Sequence, residues 1–175
     1  PWHYARKVEA LLGAAGPALT LGADVMAGFP GETDAEFEGT LAFLRGLPIG
    51  YLRLFPFSPR PGTAGWALHA AKPVSPRLME ERMAALRALA RQKSAAHRRQ
   101  FFGQALDAIT LHTPPELAAR NRTAALTENF LPVELTGSLP ANQLVKVRVR
   151  GLSDELALVA EPALEAGPAA HSDSQ

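Results

Sequence analysis

Three short stretches carry residue types and spacings suited to chemistry. The first is Gly28-Phe29-Pro30-Gly31-Glu32, which follows an apolar run at 21–27 and precedes Thr33-Asp34-Ala35-Glu36. A glycine turn between a strand end and a helix start leaves N–H groups pointing outward, where α/β folds take anionic ligands. The plain alternative is a connection that uses Gly and Pro only to turn. Gly28 to Gly31 also satisfies the G-x-x-G pattern of the nucleic-acid-clamping KH domains, but there the loop joins two helices. The second stretch is Phe57-Ser58-Pro59-Arg60-Pro61-Gly62-Thr63. Its prolines hold Arg60 in an extended loop, and a guanidinium presented rigidly suits a carboxylate or phosphate. A stiff surface linker is the alternative. The third is Lys146-Val147-Arg148-Val149-Arg150. Period-2 geometry puts its three cations on one strand face, about 7 Å apart, with Val145, Val147 and Val149 on the other. Such a row matches a phosphate backbone, or it is simply a solvated outer face.

Other chemistry is missing from the sequence. His3, His69, His97, His112 and His171 show no metal-ligand spacing, and there is no cysteine. Disulfides, thiolate zinc sites, a thiol nucleophile and an iron–sulfur cluster ligated by this chain are thereby excluded. No nucleophile elbow, Walker loop or dinucleotide fingerprint is present. No catalytic residue and no metal ligand is assigned. The composition, 47% apolar and 20% charged, is that of a globular protein. A formal charge of +1 removes any argument from bulk electrostatics, so a nucleic-acid partner has to be read from where charges sit. Residues 98–161 hold seven basic and seven acidic side chains, whereas 77–99 hold seven basic and two acidic. The lack of cysteine fits the expected cytoplasmic location, and no apolar run reaches the ~18 residues a membrane span needs, so no membrane partner is expected. Nothing in the sequence specifies an oligomeric state.

The elements that would position these residues follow from periodicity. Tyr4, Val8, Leu11 and Leu12 are spaced for a helix over 3–13. Residues 21–27 suit a buried strand. Thr33 and Glu36 form a capping box for a helix whose inner face is Phe37, Thr40, Leu41 and Leu44, ended by Gly46 and Pro48. Residues 51–57 predict a second strand. Helix, strand, helix, strand argues for a parallel sheet covered by helices. Residues 58–74, with Pro59, Pro61, Pro73, Gly62 and Gly65, predict loop. Ser75-Pro76 opens a long helix to about Gln100, with Met79, Met83, Leu86 and Ala90 on one face. After Phe102-Gly103 the runs 106–112, 131–135 and 144–150, separated by turn residues, predict a small all-β unit. The tail at 162–175, rich in Ala, Gly, Pro and Ser, is expected to be disordered.

With these segments in order, the chain resembles the radical S-adenosylmethionine tRNA methylthiotransferases. Asp24 to Thr33 is similar to that family's strand-and-loop signature, and Phe55 to Thr63 to its later loop. The arginine-rich helix running into Phe101-Phe102-Gly103 resembles the passage into the family's C-terminal TRAM module, a small RNA-binding β-barrel. Thr127 to Val133 looks most like the branch that acts on threonylcarbamoyladenosine beside the anticodon. The isopentenyladenosine and ribosomal-protein branches are the alternatives. One departure from the pattern is Gly65-Trp66, where the family commonly has small residues after the later loop.

The resemblance implies an α/β fold: 1–97 as the later part of an incomplete (β/α) radical barrel with its connecting helix, then 98–161 as an antiparallel, OB-like TRAM barrel. It implies S-adenosylmethionine as a cofactor, held by Met26, Gly28, Phe29, Pro30 and Phe57. Ser58 and Arg60 would meet substrate, and Lys146, Arg148 and Arg150 would meet tRNA. The two 4Fe-4S clusters of such enzymes take cysteines from the front of the family's chain, so a preceding part of this chain is expected and turnover by these residues alone is not. Two readings outside the family are a stand-alone RNA-binding module and a phosphate-binding (β/α) barrel. The first leaves the two ligand-type loops unexplained, and the second leaves the β appendage unexplained.

Overall fold

Alternating periodicities over the first hundred residues produce one small parallel sheet. In the computed structural model, which describes residues 2–16 and 19–163, α1 (Trp2–Ala15) leads to β1 (Gly22–Ala27), α2 (Asp34–Gly46) and β2 (Tyr51–Pro56). β1 and β2 pair in parallel from Gly22↔Tyr51 to Ala27↔Pro56. α2 begins where the capping box places it: Glu36 N–H donates to the Thr33 hydroxyl at 3.2 Å and Thr33 N–H donates to the Glu36 carboxylate at 2.8 Å. Phe37, Leu41 and Leu44 of α2 are buried with Val8, Val25, Ala27, Leu86 and Leu89, so α1, α2 and α4 (Pro76–Arg99) supply the core beside β1. Ser75 caps α4, accepting from Leu78 N–H at 3.3 Å.

The stretch 58–74 departs from its reading as loop. Residues Ala64–Ala71 form a two-turn helix, α3. Thr63 caps it, accepting from Trp66 N–H at 3.2 Å, and five of its eight residues are alanine or leucine, which outweighs one glycine. Proline density at 59–61 set the turn before the helix, not the helix itself.

A compact first unit ends at His97 and a second begins at Arg98. The second is a closed barrel of five strands in the order β3-β4-β5-β7-β6, with β6 returning to β3. They are β3 (Ala105–Thr110), β4 (Arg122–Thr127), β5 (Pro132–Thr136), β6 (Leu144–Leu152) and β7 (Leu158–Pro162), with a single helical turn, α5 (Pro115–Ala118), ahead of β4. The barrel is not wholly antiparallel as expected, because β5 and β7 pair in parallel. β4, β7 and α5 are additions to the sequence reading. β7 runs one residue past the expected boundary at 161, and residues 164–175 of the expected tail lie outside the described residues. The barrel interior is Ala108, Ala125, Val133, Leu135, Val147, Val149, Leu158 and Ala160, with Phe101 buried in the same core.

Three threonines lie inside this apolar core, and each ties a loop. The Thr110 hydroxyl donates to the Pro140 carbonyl at 2.7 Å and accepts from Gln143 N–H at 2.9 Å. Thr123 bridges the Gly137 carbonyl and Leu139 N–H at 2.7 and 2.9 Å. Thr127 accepts from Leu131 N–H at 2.9 Å. A buried hydroxyl costs stability unless satisfied, and these satisfy loop backbone in return.

Candidate functional site

The first two chemistry-bearing stretches leave the carboxyl ends of neighbouring parallel strands. Phe57 N–H donates to the Ala27 carbonyl at 2.8 Å, one step beyond the strand pairing, so the two loops start side by side. That is where open α/β sheets place their ligands. Phe29 and Phe57 then meet edge to face, with ring centroids 5.3 Å apart, and His69 of α3 lies 6.1 Å from Phe57. Gly65 lies close under this contact, where a Cβ would sit 3.1 Å from the Phe57 ring. At the Gly65-Trp66 departure the glycine thus packs near the Phe57 ring, and Trp66 is left half exposed.

The expected ligand residues divide by exposure. Met26 is 56% exposed, Phe29 is exposed, and Ser58 and Arg60 face solvent, whereas Gly28 and Pro30 are buried and Phe57 is half-buried. Gly28 has φ +73°, and a Cβ there would lie 2.1 Å from Met79 Cε. Its missing side chain is thus filled by α4. Arg60 accepts at its carbonyl from the Thr63 hydroxyl at 2.7 Å, which fixes the turn and leaves the guanidinium outward.

Sequence reading missed the residue that holds the first loop. Arg82 of α4 is 2% exposed. Its guanidinium donates to the Glu32 carboxylate at 2.8 Å, the Glu32 carbonyl at 3.1 Å and the Asp34 carboxylate at 2.9 Å, and lies 5.2 Å from the Phe37 ring centroid. Three hydrogen bonds and a ring contact pin both the loop and the first turn of α2 to α4. The signal was available: Arg82 sits at helical spacing between Met79 and Leu86, on the stripe that should be apolar.

Among the described residues, nothing covers the sheet face away from the core. Asp24 and Met26 on β1 and Tyr51, Arg53 and Phe55 on β2 are exposed, with Asp24 opposite Arg53 and Met26 opposite Phe55. Arg53 and Asp24 form a two-pronged pair at 2.7 and 2.9 Å, and that hydrogen bonding raises the guanidinium's affinity for its proton. Beside β1 a groove of about 570 Å³ runs between Tyr4, Asp24, Met26, Thr40 and Phe43. Among the described residues no cluster of His, Asp and Glu could hold a metal ion, and no helix is long and apolar enough to cross a membrane.

In the barrel, β6 alternates as the sequence reading expects, with Val147 and Val149 buried and Lys146, Arg148 and Arg150 outside. The cations are not bare. Lys146 pairs with Asp107 at 3.5 Å, and Arg150 pairs with Glu161, whose carboxyl is held below its ordinary value chiefly by that hydrogen bond. Arg148 donates to the Gly103 carbonyl at 3.0 Å, a neutral partner. Three cations against two carboxylates leave the row near +1. The basic run of α4 is similarly committed. Arg82 is buried, Arg77 and Arg87 pair with Glu81 and Glu80, and Lys93 donates to the carbonyls of Arg45 and Leu47. Arg98 donates to the Leu156 carbonyl at 2.7 Å. Burial lowers the proton affinity of Lys93 and Arg98. Much of that run therefore serves structure.

No family model matches the chain. Known proteins do. Over 134 residues it is 33% identical to the threonylcarbamoyladenosine tRNA methylthiotransferase MtaB of Aquifex aeolicus, covering 76% of this chain and 30% of that protein. The protein of the same name from Treponema pallidum is 36% identical over 132 residues, 74% of this chain and 25% of its own length. The tRNA-2-methylthio-N(6)-dimethylallyladenosine synthase of Geobacillus thermodenitrificans is 30% identical over 156 residues, 87% of this chain and 29% of its own. The chain thus spans under a third of the length of these relatives.

Proposed function

We propose, since the chain belongs to the tRNA methylthiotransferase family, that it supplies the later strands of a radical S-adenosylmethionine barrel followed by a TRAM module that binds tRNA. The whole enzyme would add a methylthio group to C2 of threonylcarbamoyladenosine in tRNA, in the cytoplasm. The observation that carries this reading is the combination in one chain of two ligand-type loops at parallel strand ends and a closed barrel with a cationic strand.

The residues present fit S-adenosylmethionine. Met26, Phe29 and Phe57 offer exposed or half-exposed apolar surface beside the strand ends, and Gly28 and Pro30 shape the loop backbone that would face it. When bound, the cofactor supplies the radical chemistry and the methyl group. Ser58 and Arg60 would orient substrate at the same mouth, and Arg82 keeps the first loop in place for both. The 4Fe-4S clusters are a different matter: with no cysteine, these residues do not ligate them. The purified chain is expected to hold no iron after anaerobic reconstitution, and a stoichiometric cluster absorption band would contradict that.

The tRNA half of the proposal is tested by affinity from 50 to 200 mM salt. Removing one cation from a phosphate lowers the salt slope by roughly 0.7 to 0.9. Replacing Lys146, Arg148 and Arg150 with Ala is expected to lower it by up to about two to three, with Arg148→Ala the largest single step because its hydrogen-bond partner is neutral and Glu161 opposite it is engaged by Arg150. The weakening should be similar for different tRNAs, since cations on phosphates position the RNA without reading its sequence. An unchanged slope in a folded triple variant would make the row a solvated face.

A further inference from the structure

The turn between β4 and β5 breaks a local rule. Phe130 N–H donates to the Thr127 carbonyl at 2.9 Å and Thr127 N–H donates to the Leu131 carbonyl at 3.0 Å, closing a three-residue hairpin loop. Such loops end on a residue in the left-handed region, a place that Gly fills without steric cost and Asn tolerates. Phe130 holds it, with φ +61°. A bulky side chain there is strained by its own Cβ. Burial offsets nothing, because Phe130 is 80% exposed. Strain at a residue that packs on nothing points to function, not to stability.

The surroundings say what kind. Glu128 N–H donates to the Asp107 carbonyl at 3.0 Å, so the turn is docked on β3. Across β3, Asp107 faces Lys146 and Ala105 faces Arg148. One pair along, Ile109 faces Leu144, which is 85% exposed. An exposed aromatic, exposed aliphatic side chains and cations on adjoining strands are the combination that binds unpaired nucleic acid: rings stack on bases while cations meet the flanking phosphates.

We propose that Phe130 is a stacking platform for an unpaired base of the RNA that the barrel binds, a proposal that rests on the barrel's reading as a tRNA module. The turn is tied to the barrel by buried Thr127, whose hydroxyl accepts from Leu131 N–H at 2.9 Å. The strained backbone keeps the ring away from the barrel and open to a base.

The test uses the full chain, with Phe130→Gly and Phe130→Trp, and two probes: a tRNA transcript and a duplex RNA of equal length without unpaired bases. Glycine relieves the backbone strain, so F130G is expected to melt no lower than the starting protein. Its affinity for tRNA should nevertheless fall roughly five- to a hundred-fold. Its salt slope should not change, because every cation that meets a phosphate remains. F130W should keep tRNA affinity within about threefold, since any aromatic face can stack. Duplex binding should be the same in all three proteins. F130G that binds tRNA as tightly as the starting protein overturns the proposal, as does an equal weakening on tRNA and duplex. A lower melting temperature for F130G would also overturn it, by showing that the ring packs. Self-association abolished in F130G, with tRNA binding intact, would assign the ring to a protein partner instead. If the starting protein binds neither RNA, the tRNA-module reading itself fails.

Discussion

In the first unit two strands carry a sheet whose outer face is bare, whereas in the second five strands close so that each has a partner on both sides. Among the described residues β1 pairs only with β2, and Met26, Tyr51 and Phe55 stay exposed on a surface that a core would normally cover. In the barrel, by contrast, Leu135, Val147, Val149 and Leu158 are fully buried. Closure removes edges, and an open sheet keeps them. The open unit carries the two loops at parallel strand ends, and the closed unit has a core of its own. A bare sheet face and the two loops at strand ends thus fall in one unit, and a sheet without edges falls in the other.

The two units are separated most harshly by cutting the chain between them. Residues 98–163 expressed alone should unfold in one cooperative transition. Residues 1–97 should aggregate, because an unpaired edge and an exposed apolar face both invite association. A soluble, monomeric, cooperatively melting 1–97 would show that the bare face is a surface and not an interior.

Within the first unit the next largest effect belongs to Arg82. Arg82→Met keeps the volume but leaves the part-buried Glu32 carboxylate without its cation, at a cost of about 3 kcal/mol. Hydrogen exchange should localise the effect to α2 and loop 28–32, with barrel amides unchanged. An equal loss of protection in the barrel would contradict the separation of the units. The barrel's counterpart is Thr110→Val, which preserves shape and strands the Pro140 carbonyl and Gln143 N–H. A cost of about 2 kcal/mol is expected, seen in barrel amides alone. A neutral substitution would mean that the loop finds other partners without the hydroxyl.

How much of this was legible depended on whether a residue's partners were local. The capping box at Thr33, the β1 and β2 runs and the alternation along β6 are patterns within one element, and the structure carries each of them. Arg82 meets Glu32 and Asp34 some fifty residues away, so periodicity marked it only as a misfit on an apolar stripe. Thr110, Thr123 and Thr127 look like ordinary strand formers until the loops they tie are in place. β4 was hidden because Arg122-Thr-Ala-Ala-Leu-Thr127 alternates with small and polar residues, and its inward threonines are satisfied only in three dimensions. Helix α3 was masked by prolines that belong to the turn before it. At the loops the sequence named Met26, Phe29 and Phe57, but His69 reaches Phe57 from α3, and Arg53 meets Asp24 across the sheet, through pairings that no spacing rule contains.

The smallest expected effect separates the open unit from the closed one by pH. Thr33→Ala removes one half of the capping box and should cost about 1 kcal/mol, confined to α2. The other half is Glu36, whose carboxyl is held below its ordinary value of 4.5 first by Thr33 N–H and then by the Thr33 hydroxyl. A depressed folded value means that the charged form is favoured by folding. Its contribution is therefore complete above about pH 4.5 and is lost as pH falls through the folded value. Glu36→Gln cannot titrate, so its α2 amides should lose less protection than the starting protein's as the solution is taken below pH 4.5. Glu161 is depressed in the same direction by Arg150, so barrel amides should soften with acid equally in both proteins. The difference between the proteins should appear in α2 alone. A matching difference in β7 would mean that the cap and the barrel are energetically linked, and the contrast between the two units would not hold.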